Sequence, residues 1–415
     1  MSRANTPIHT HTFPNGLTLL VEEMPGVATA GMTWLLPAGA AVEPTNQQGI
    51  GAVLEEMLFR GAGDLDARAH ADALDERGVH RGASVHTHHF RISATFLGDR
   101  AAAAMPLLFD IVRRPHLNEP DLAPAVELAQ QAIESLEDEP QEKALEELRL
   151  LHLGEPLGRS HMGRPESLRA ITPADVRSFV ADRFVPGGSI LALAGAVEFA
   201  PTRDAVAALL GDMRGSAPIP GGSPVRAGGL HHRHADSTQQ HIALAAETVG
   251  ETDPRSVLQR VAVAVLSGGM SGRLFTEVRE VRGLCYAVYA SYSARRDAGT
   301  IYAYAGTTTA RAAETLRVLT HELNRIRDGV KTDEFQRAVV GLKSRLVMQG
   351  ESTSARAHAI AADQFLVGRP RTLAERAAQI DAVTLDALNG FLRENTPESW
   401  TTLTLGPEPV PGTNA

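Results

Sequence analysis

The chain has 415 residues, with 40 basic and 49 acidic side chains and a formal net charge of −9. One cysteine excludes an intramolecular disulfide, a C-x-x-C redox pair and a thiolate zinc cage, and the acidic balance argues against a general nucleic-acid binder. The 16 histidines point instead toward a metal site, and 43% hydrophobic residues suffice for large cores in two or three domains.

The N-terminus has no apolar h-region, so no signal peptide is read. The longest strongly apolar run, residues 190–197, is far short of a bilayer span. A soluble, cytoplasmic chain with neither membrane nor nucleic acid as partner is the expectation.

In chain order, a strand-like segment at 17–36, interrupted by a turn, leads into a helical segment at 48–59 and a short helix at 74–78 that ends on glycine. A strand at 91–97 follows, then long helical stretches that begin with Leu107, Leu108 and Ile111 at helical spacing. Thr172-Pro173 is an N-cap followed by proline at the first helical position, and residues 189–197 read as a strand buried on both faces. A Pro- and Gly-rich seam at 214–229 then divides the chain.

Beyond the seam the order repeats: strand at 241–246, helix at 254–266, a helix ending at Gly283, strand at 300–306, then long helices. The same offset separates Asp121 from Asp333 and Ile171 from Val383, and nearly the same one separates Gly78 from Gly283. The reading is an α+β fold of two homologous domains in tandem, each a mixed sheet packed with helices. They occupy 1–213 and 230–415, joined by the linker 214–229.

No phosphate-binding G-x-x-x-x-G-K-[ST], dinucleotide G-x-G-x-x-G or G-x-S-x-G elbow occurs, and His321-Glu322 lacks the second histidine of H-E-x-x-H. His321 is expected on a helix surface. His231, His232 and His234, beside the seam, are expected in solvent.

Residues 49–61 read GIGAVLEEMLFRG. This segment resembles the inverted zinc motif of the pitrilysin/insulinase family of zinc peptidases, which includes the mitochondrial processing peptidase. The family segment reads roughly G-x-x-H-x-L-E-H-M-L-F-x-G, with two histidines on one helical face and a glutamate base between them. Aligned on it, the histidine positions are Ala52 and Glu56 and the base position is Glu55. The family's further ligand lies in E-x6-E, which Glu127 and Glu134 match, with Glu134 at the ligand position. Carboxylates without imidazoles prefer hard cations and hold zinc poorly. Without the histidines, solvated or ion-paired helix faces are the favoured reading of Glu55, Glu56, Glu127 and Glu134. His86-Thr-His88-His89 is read as a strand in which His86 and His88 share one face, as candidate cleft-lining residues.

Residues 267–289 read SGGMSGRLFTEVREVRGLCYAVY, close to the same family's G-G-G-M-S-S-R-L-F-x-x-x-R-E-x-x-G-L-x-Y. The pattern predicts a helix over 271–281 ended by Gly283, with a strand from Leu284. Cys285 reads as a small buried residue without a neighbouring base. A C-terminal cation on a helix and an aromatic on a strand account for Arg279 and Tyr286 taken singly. Within this long match, the resemblance implies that Arg279 and Tyr286 reach an active site. The tyrosine donates to an oxyanion and the arginine holds a carbonyl or carboxylate.

The resemblance implies that this chain is one half of a clamshell: a non-zinc subunit, inactive alone, that supplies Arg279 and Tyr286 in trans. Its partner would be an H-x-x-E-H subunit carrying the zinc, with no metal in this chain, and the substrate a peptide or unfolded polypeptide. Two alternatives stand beside it. One is a catalytically inactive peptide-binding or scaffold homologue. The other is a homodimeric hydrolase with a metal site rebuilt from Glu55, Glu134 and the 86–89 histidines.

Overall fold

The run Ile190–Gly195 is buried at every residue and is paired on both sides, as an interior strand must be. The computed structural model describes residues 6–219 and 228–411 and places this run near the middle of a six-stranded sheet. Its strands are β1 (Ile8–Thr12), β2 (Thr18–Glu23), β3 (Thr29–Leu36), β6 (His80–Val85), β7 (Phe90–Leu97) and β8 (Ile190–Gly195). A two-residue ribbon, β4 (Gly61–Ala62) with β5 (Leu65–Asp66), lies outside it. The order is β1-β2-β8-β3-β7-β6, with β8 parallel to β2 and antiparallel to β3.

A second sheet contains β9 (Gly229–His234), β10 (Gln239–Val249), β11 (Ala287–Ala294), β12 (Ala298–Thr308) and β13 (Thr401–Gly406), in the order β11-β12-β10-β13-β9. Here β13 is parallel to β9 and antiparallel to β10. Read from the hairpin edge, β6-β7-β3-β8-β2 and β11-β12-β10-β13-β9 have the same directions and pairings. The duplication expected from the repeated landmarks is therefore present in the topology, with β1 as the addition.

The helices are α1 (Ile50–Met57), α2 (Ala67–Asp75), α3 (Ala101–Arg113), α4 (Glu119–Ser135), α5 (Pro140–Leu153), α6 (Pro165–Ala170), α7 (Pro173–Arg183) and α8 (Phe199–Leu210) in the first half. The second half has α9 (Ser256–Ser267), α10 (Ala312–Arg325), α11 (Thr332–Gly350), α12 (Thr353–Val367), α13 (Leu373–Asp381) and α14 (Leu385–Asn395). Thr172 caps α7 through a full capping box with Asp175, as its sequence predicts. Among the described residues no helix is long and apolar enough to cross a membrane.

Two compact units emerge, and neither is a contiguous stretch of chain. The first comprises Met1–Ser135, Arg159–Gly222 and Gln349–Ala374; the second comprises Leu136–Gly158, Ser223–Met348 and Glu375–Ala415. The compact units are therefore not coextensive with the sequence halves 1–213 and 230–415, two helical segments packing with the sheet of the other half. Part of the expected seam, residues 220–227, lies outside the described residues. The physical reason is burial. One face of the first sheet packs Trp34 and Phe96 with Leu54 of α1 and Phe109 of α3. Its other face, with Leu20, Leu35, Ile190 and Ala192, is covered by Ile360 and Ala361 of α12. In the second sheet, Ile242, Leu244 and Ala303 pack on Val265 of α9, Leu319 of α10 and Leu388 of α14. There the opposite face, with Ala243, Ala245, Leu403 and Leu405, is covered by Ala144 and Leu148 of α5.

Polar anchors fix both covering helices. Arg356 of α12 donates through Nε to Glu22 Oε2 of β2 at 2.8 Å, with both side chains almost fully buried. His152 of α5 meets the Thr401 hydroxyl at 2.9 Å. Removing one partner of a buried ion pair strands the other charge in the core. Arg356→Met is therefore expected to lower the unfolding free energy at neutral pH by about 3–5 kcal/mol, measured by urea denaturation. A loss below about 1 kcal/mol, the range of exposed pairs, would show that Glu22 does not depend on this partner.

Candidate functional site

The helical segment expected at 48–59 is the shorter α1, because Gly49 (φ +97°) is its N-cap and a buried carboxylate holds its first turn. Glu43 Oε2 accepts from the Gly49 amide at 2.7 Å and Oε1 from the Gly51 amide at 3.0 Å. Burial pushes the Glu43 carboxyl up to about 7 against the opposing pull of those two amides and of Arg159. Sequence reading missed Glu43, which precedes the motif by several residues and carries no helix-cap signature.

Within α1, Ala52 is half-buried and packs against the core, while Glu56 is exposed. Glu55 accepts the Val85 amide of β6 through Oε1, and burial raises its carboxyl above the usual range despite that bond. α1 packs on α4, where Glu127 and Glu134 are both exposed. An alanine offers no lone pair, and Glu55 is already committed to a backbone amide. These side chains do not supply the donor set of an H-x-x-E-H zinc centre.

His86, Thr87, His88 and His89 do not lie on a strand, contrary to the expectation. They form the loop between β6 and β7, closed by the His86 amide on the His89 carbonyl at 2.8 Å. Their alternation across a pleat is therefore lost, and His86 and His88 share no strand face. The loop is pinned where the Ala40 and Ala41 amides take the carbonyls of His86 and Thr87. His86 Nε2 lies 3.1 Å from the Ser84 hydroxyl, which also accepts from Arg91 Nε at 3.1 Å. The ring of His161 stands 6.2 Å from that of His86, and the His89 ring packs edge-on against Phe365 of α12 at 4.3 Å. Among the described residues no group of three or more His, Cys, Asp or Glu side chains is placed to hold a metal ion. Glu55, Glu134 and the 86–89 histidines are not assembled into the rebuilt site that one alternative requires. His231 and His232, expected in solvent, lie on β9 and are half-buried; His232 Nδ1 meets the Thr404 hydroxyl at 3.0 Å. His321 is exposed on α10, as read.

In the second unit the helix expected over 271–281 is a π-helix, Phe275–Glu280, after a single helical turn. Such wide turns recur at functional positions. Gly283, at φ +59°, ends it as read: the Gly283 amide reaches the Arg279 carbonyl at 3.0 Å and the Leu284 amide the Val278 carbonyl at 3.0 Å. The Gly283 bond is the 5→1 contact of an αL stop, and the buried Val278 and Leu284 side chains pack together beside it. The strand begins at Ala287, not Leu284: the Leu284 amide is taken by the Val278 carbonyl, and the Tyr286 amide reaches the Gly306 carbonyl just ahead of the ladder.

Arg279 is exposed and lies over the Phe275 ring at 4.8 Å. Tyr286 is 44% exposed, and its hydroxyl donates to Gln239 Oε1 on β10. Cys285 is half-buried, and burial pushes its thiol up to about 11, away from nucleophilic use. Two neighbours of Tyr286, Gln239 and Gly306, were not singled out from sequence. They come from strands far apart in the chain, and only the sheet register brings them together.

With fold and site in place, the relationship of the chain to known proteins is plain. Residues 18–163 match the family model described as Insulinase (Peptidase family M16), and residues 170–342 match the one described as Peptidase M16 inactive domain. The chain belongs to the M16 peptidase family, as its two motifs suggested. It is 29% identical over 409 residues to an uncharacterized zinc protease of Mycobacterium tuberculosis, covering 95% of this chain and 92% of that one. An uncharacterized zinc protease of Bacillus subtilis is 25% identical over 403 residues, covering 96% and 98%. The fold is similar to the crystal structure of a peptidase M16 inactive domain from Pseudomonas fluorescens, with a TM-score of 0.89 at 21% identity over 98% of this chain and 100% of that one. A chain of complex III2 from Candida albicans gives 0.83 at 20% identity, covering 96% of each.

The loop histidines make stability depend on pH. Burial lowers His86 to about 4 and His89 to about 3, below the 6.5 of the unfolded chain. Between pH 6.5 and 4 the unfolded chain therefore binds protons that the folded chain refuses, and stability falls as pH falls. A His86→Gln/His89→Gln variant is expected to show a shallower loss of unfolding free energy over that range, followed by denaturant titration at stepped pH. An unchanged slope would place the acid sensitivity elsewhere.

Proposed function

We propose that this chain is the non-zinc subunit of a two-chain M16 peptidase that cleaves peptides or unfolded segments. The observation that carries the reading is the contrast between its two motif regions. The α1–α4 region lacks the imidazoles that bind zinc. The π-helix and the turn that follows it present an exposed guanidinium and an exposed phenol bonded to Gln239.

A peptidase needs donors aimed at the oxygen on which charge develops. Tyr286 carries such a donor at the end of a ring held by the sheet. Arg279 adds a cation whose planar fork suits a peptide carbonyl or carboxylate. Zinc in an H-x-x-E-H partner would supply the activated water; this chain would bind and orient peptide and stabilise the oxyanion.

The purified chain is expected to bind no stoichiometric zinc and to leave peptides uncut; one tightly held zinc per chain in metal analysis would overturn the reading. Mixed with its H-x-x-E-H partner it should gain peptidase activity, and Tyr286→Phe should lower kcat by about 10²-fold or more, as loss of an oxyanion donor does. Full activity in that variant would remove the catalytic role. Activity of the partner alone, unchanged by this chain, would favour a scaffold.

A further test uses the intact helix pair α1 and α4. The Ala52→His/Glu56→His double variant should bind about one zinc per chain, since it restores both imidazoles of the family motif on α1, which packs on α4. Failure to bind would show that the α1–α4 geometry no longer suits the metal.

A further inference from the structure

Arg91 of β7 stands opposite Ser84 of β6 in the hairpin ladder and donates through Nε to the Ser84 hydroxyl oxygen at 3.1 Å. The same oxygen lies 3.1 Å from His86 Nε2, so a guanidinium and an imidazole flank one hydroxyl. All three residues are half-buried. Among the described residues no carboxylate pairs with Arg91, and its two terminal nitrogens reach solvent without a protein acceptor. Three other arginines of the same unit, Arg356, Arg371 and Arg113, do have such a partner, in Glu22, Asp363 and Asp212. Glu55, the carboxylate that acts on Arg91 electrostatically, is held by the Val85 amide.

A half-buried cation without a counter-charge is unfavourable, and burial pulls Arg91 below its ordinary value. Arg91 nonetheless stays charged at neutral pH. Burial, and then the charges of Arg91 and His358, hold His86 at about 4, so its ring is neutral there. The cluster therefore carries one positive charge, which a single carboxylate balances. The free part of Arg91 is its planar pair of terminal N–H groups, the edge that matches the two oxygens of a carboxylate. Ser84 adds a further donor: its oxygen accepts from Arg91 Nε, and its own proton is free whenever His86 Nε2 carries a hydrogen.

We propose that Arg91, with Ser84 beside it and His86 behind Ser84, is a binding site for a carboxylate of a bound peptide, whether from an acidic side chain or from the C-terminus. The carboxylate chemistry rests on this cluster alone. That a peptide brings the carboxylate rests on the reading of the chain as a peptide-binding subunit. Arg91 supplies charge and a two-point fork, and Ser84 holds that fork in place by accepting from Nε. The site lies wholly within the first compact unit and is separate from Arg279 and Tyr286, which lie in the second. It gives the chain a preference among peptides, for acidic ones, that the oxyanion role of Tyr286 does not supply.

The test has two arms, both on the full chain. In the first the probe is sodium acetate at neutral pH, with ionic strength held by chloride, and the readout is the NMR signal of the His86 ring, identified by its loss in His86→Gln. Acetate should shift that signal saturably, and the response should vanish in Arg91→Gln. The second arm measures binding of three peptides of one sequence carrying a neutral fluorophore. One has a glutamate and an amidated C-terminus, one a glutamine and an amidated C-terminus, and one a glutamine and a free C-terminal carboxylate. A carboxylate-bearing peptide should bind about tenfold or more tighter than the uncharged one, as for a charge-assisted hydrogen bond, and the peptide that does so names the source. The preference should vanish in Arg91→Gln, fall several-fold in Ser84→Ala, and survive in part in Arg91→Lys, which keeps the charge without the fork. No saturable acetate response in the wild type, or one that survives Arg91→Gln, would overturn the site. Equal binding of the three peptides would overturn the peptide carboxylate as its ligand. An Arg91-dependent acetate response with no binding of any peptide would remove the peptide reading and leave the carboxylate site standing.

Discussion

Each sheet in this protein has two apolar faces, and the rest of the fold depends on how the second face is covered. In both units the first face is packed by several helices in the ordinary α+β manner. The second is closed by a single helix, α12 on the first sheet and α5 on the second. These helices occupy equivalent places in the two repeats, and each lies in the unit of the opposite half. An uncovered face of Leu20, Leu35, Ile190 and Ala192 would expose a contiguous apolar patch of the kind that associates or aggregates. The exchange meets that constraint with one helix per sheet. The buried Arg356–Glu22 pair gives α12 a register that apolar contact alone would leave loose.

The same logic of burial shapes the segment 49–61. α1 keeps its place because Leu54 and Met57 are core residues and Glu43 satisfies its first amides. Glu55 is retained in a structural posture, bonded to the Val85 amide on the neighbouring edge strand. A half-buried Ala52 packs where the family motif carries an imidazole. The helix is held by its apolar packing and by the two Glu43 bonds together. In the second unit the functional candidates have the opposite character. Arg279 and Tyr286 are exposed, and Gln239 of the sheet accepts from the Tyr286 hydroxyl.

Much of the fold was legible in the sequence because repetition and hydrophobic period survive without tertiary information. The strand at 190–195, the Thr172 cap and the stop at Gly283 follow from local rules that need only neighbouring residues. The 86–89 histidines did not follow, because polar residues between two strands read alike as strand or loop. Their loop is fixed by bonds to residues 40 and 41, far away in sequence. Glu43 was invisible for the same reason: a buried carboxylate looks like a surface one until its two amides are seen. The wide turn at 275–280 also escaped, since an α- and a π-helix share the same residue preferences.

By itself, the sequence determined the family resemblance, the duplication and the identity of the residues at positions 52, 55, 56, 279 and 286. Those are properties of residue type and spacing, which the chain carries whether or not it is folded. Only the tertiary structure decided which helix covers which sheet, that Glu55 is tied to Val85, and that Gln239 and Gly306 meet Tyr286 while His241 meets Tyr304. Those are decided by strand register and burial, which join residues distant along the chain and leave no local trace in it.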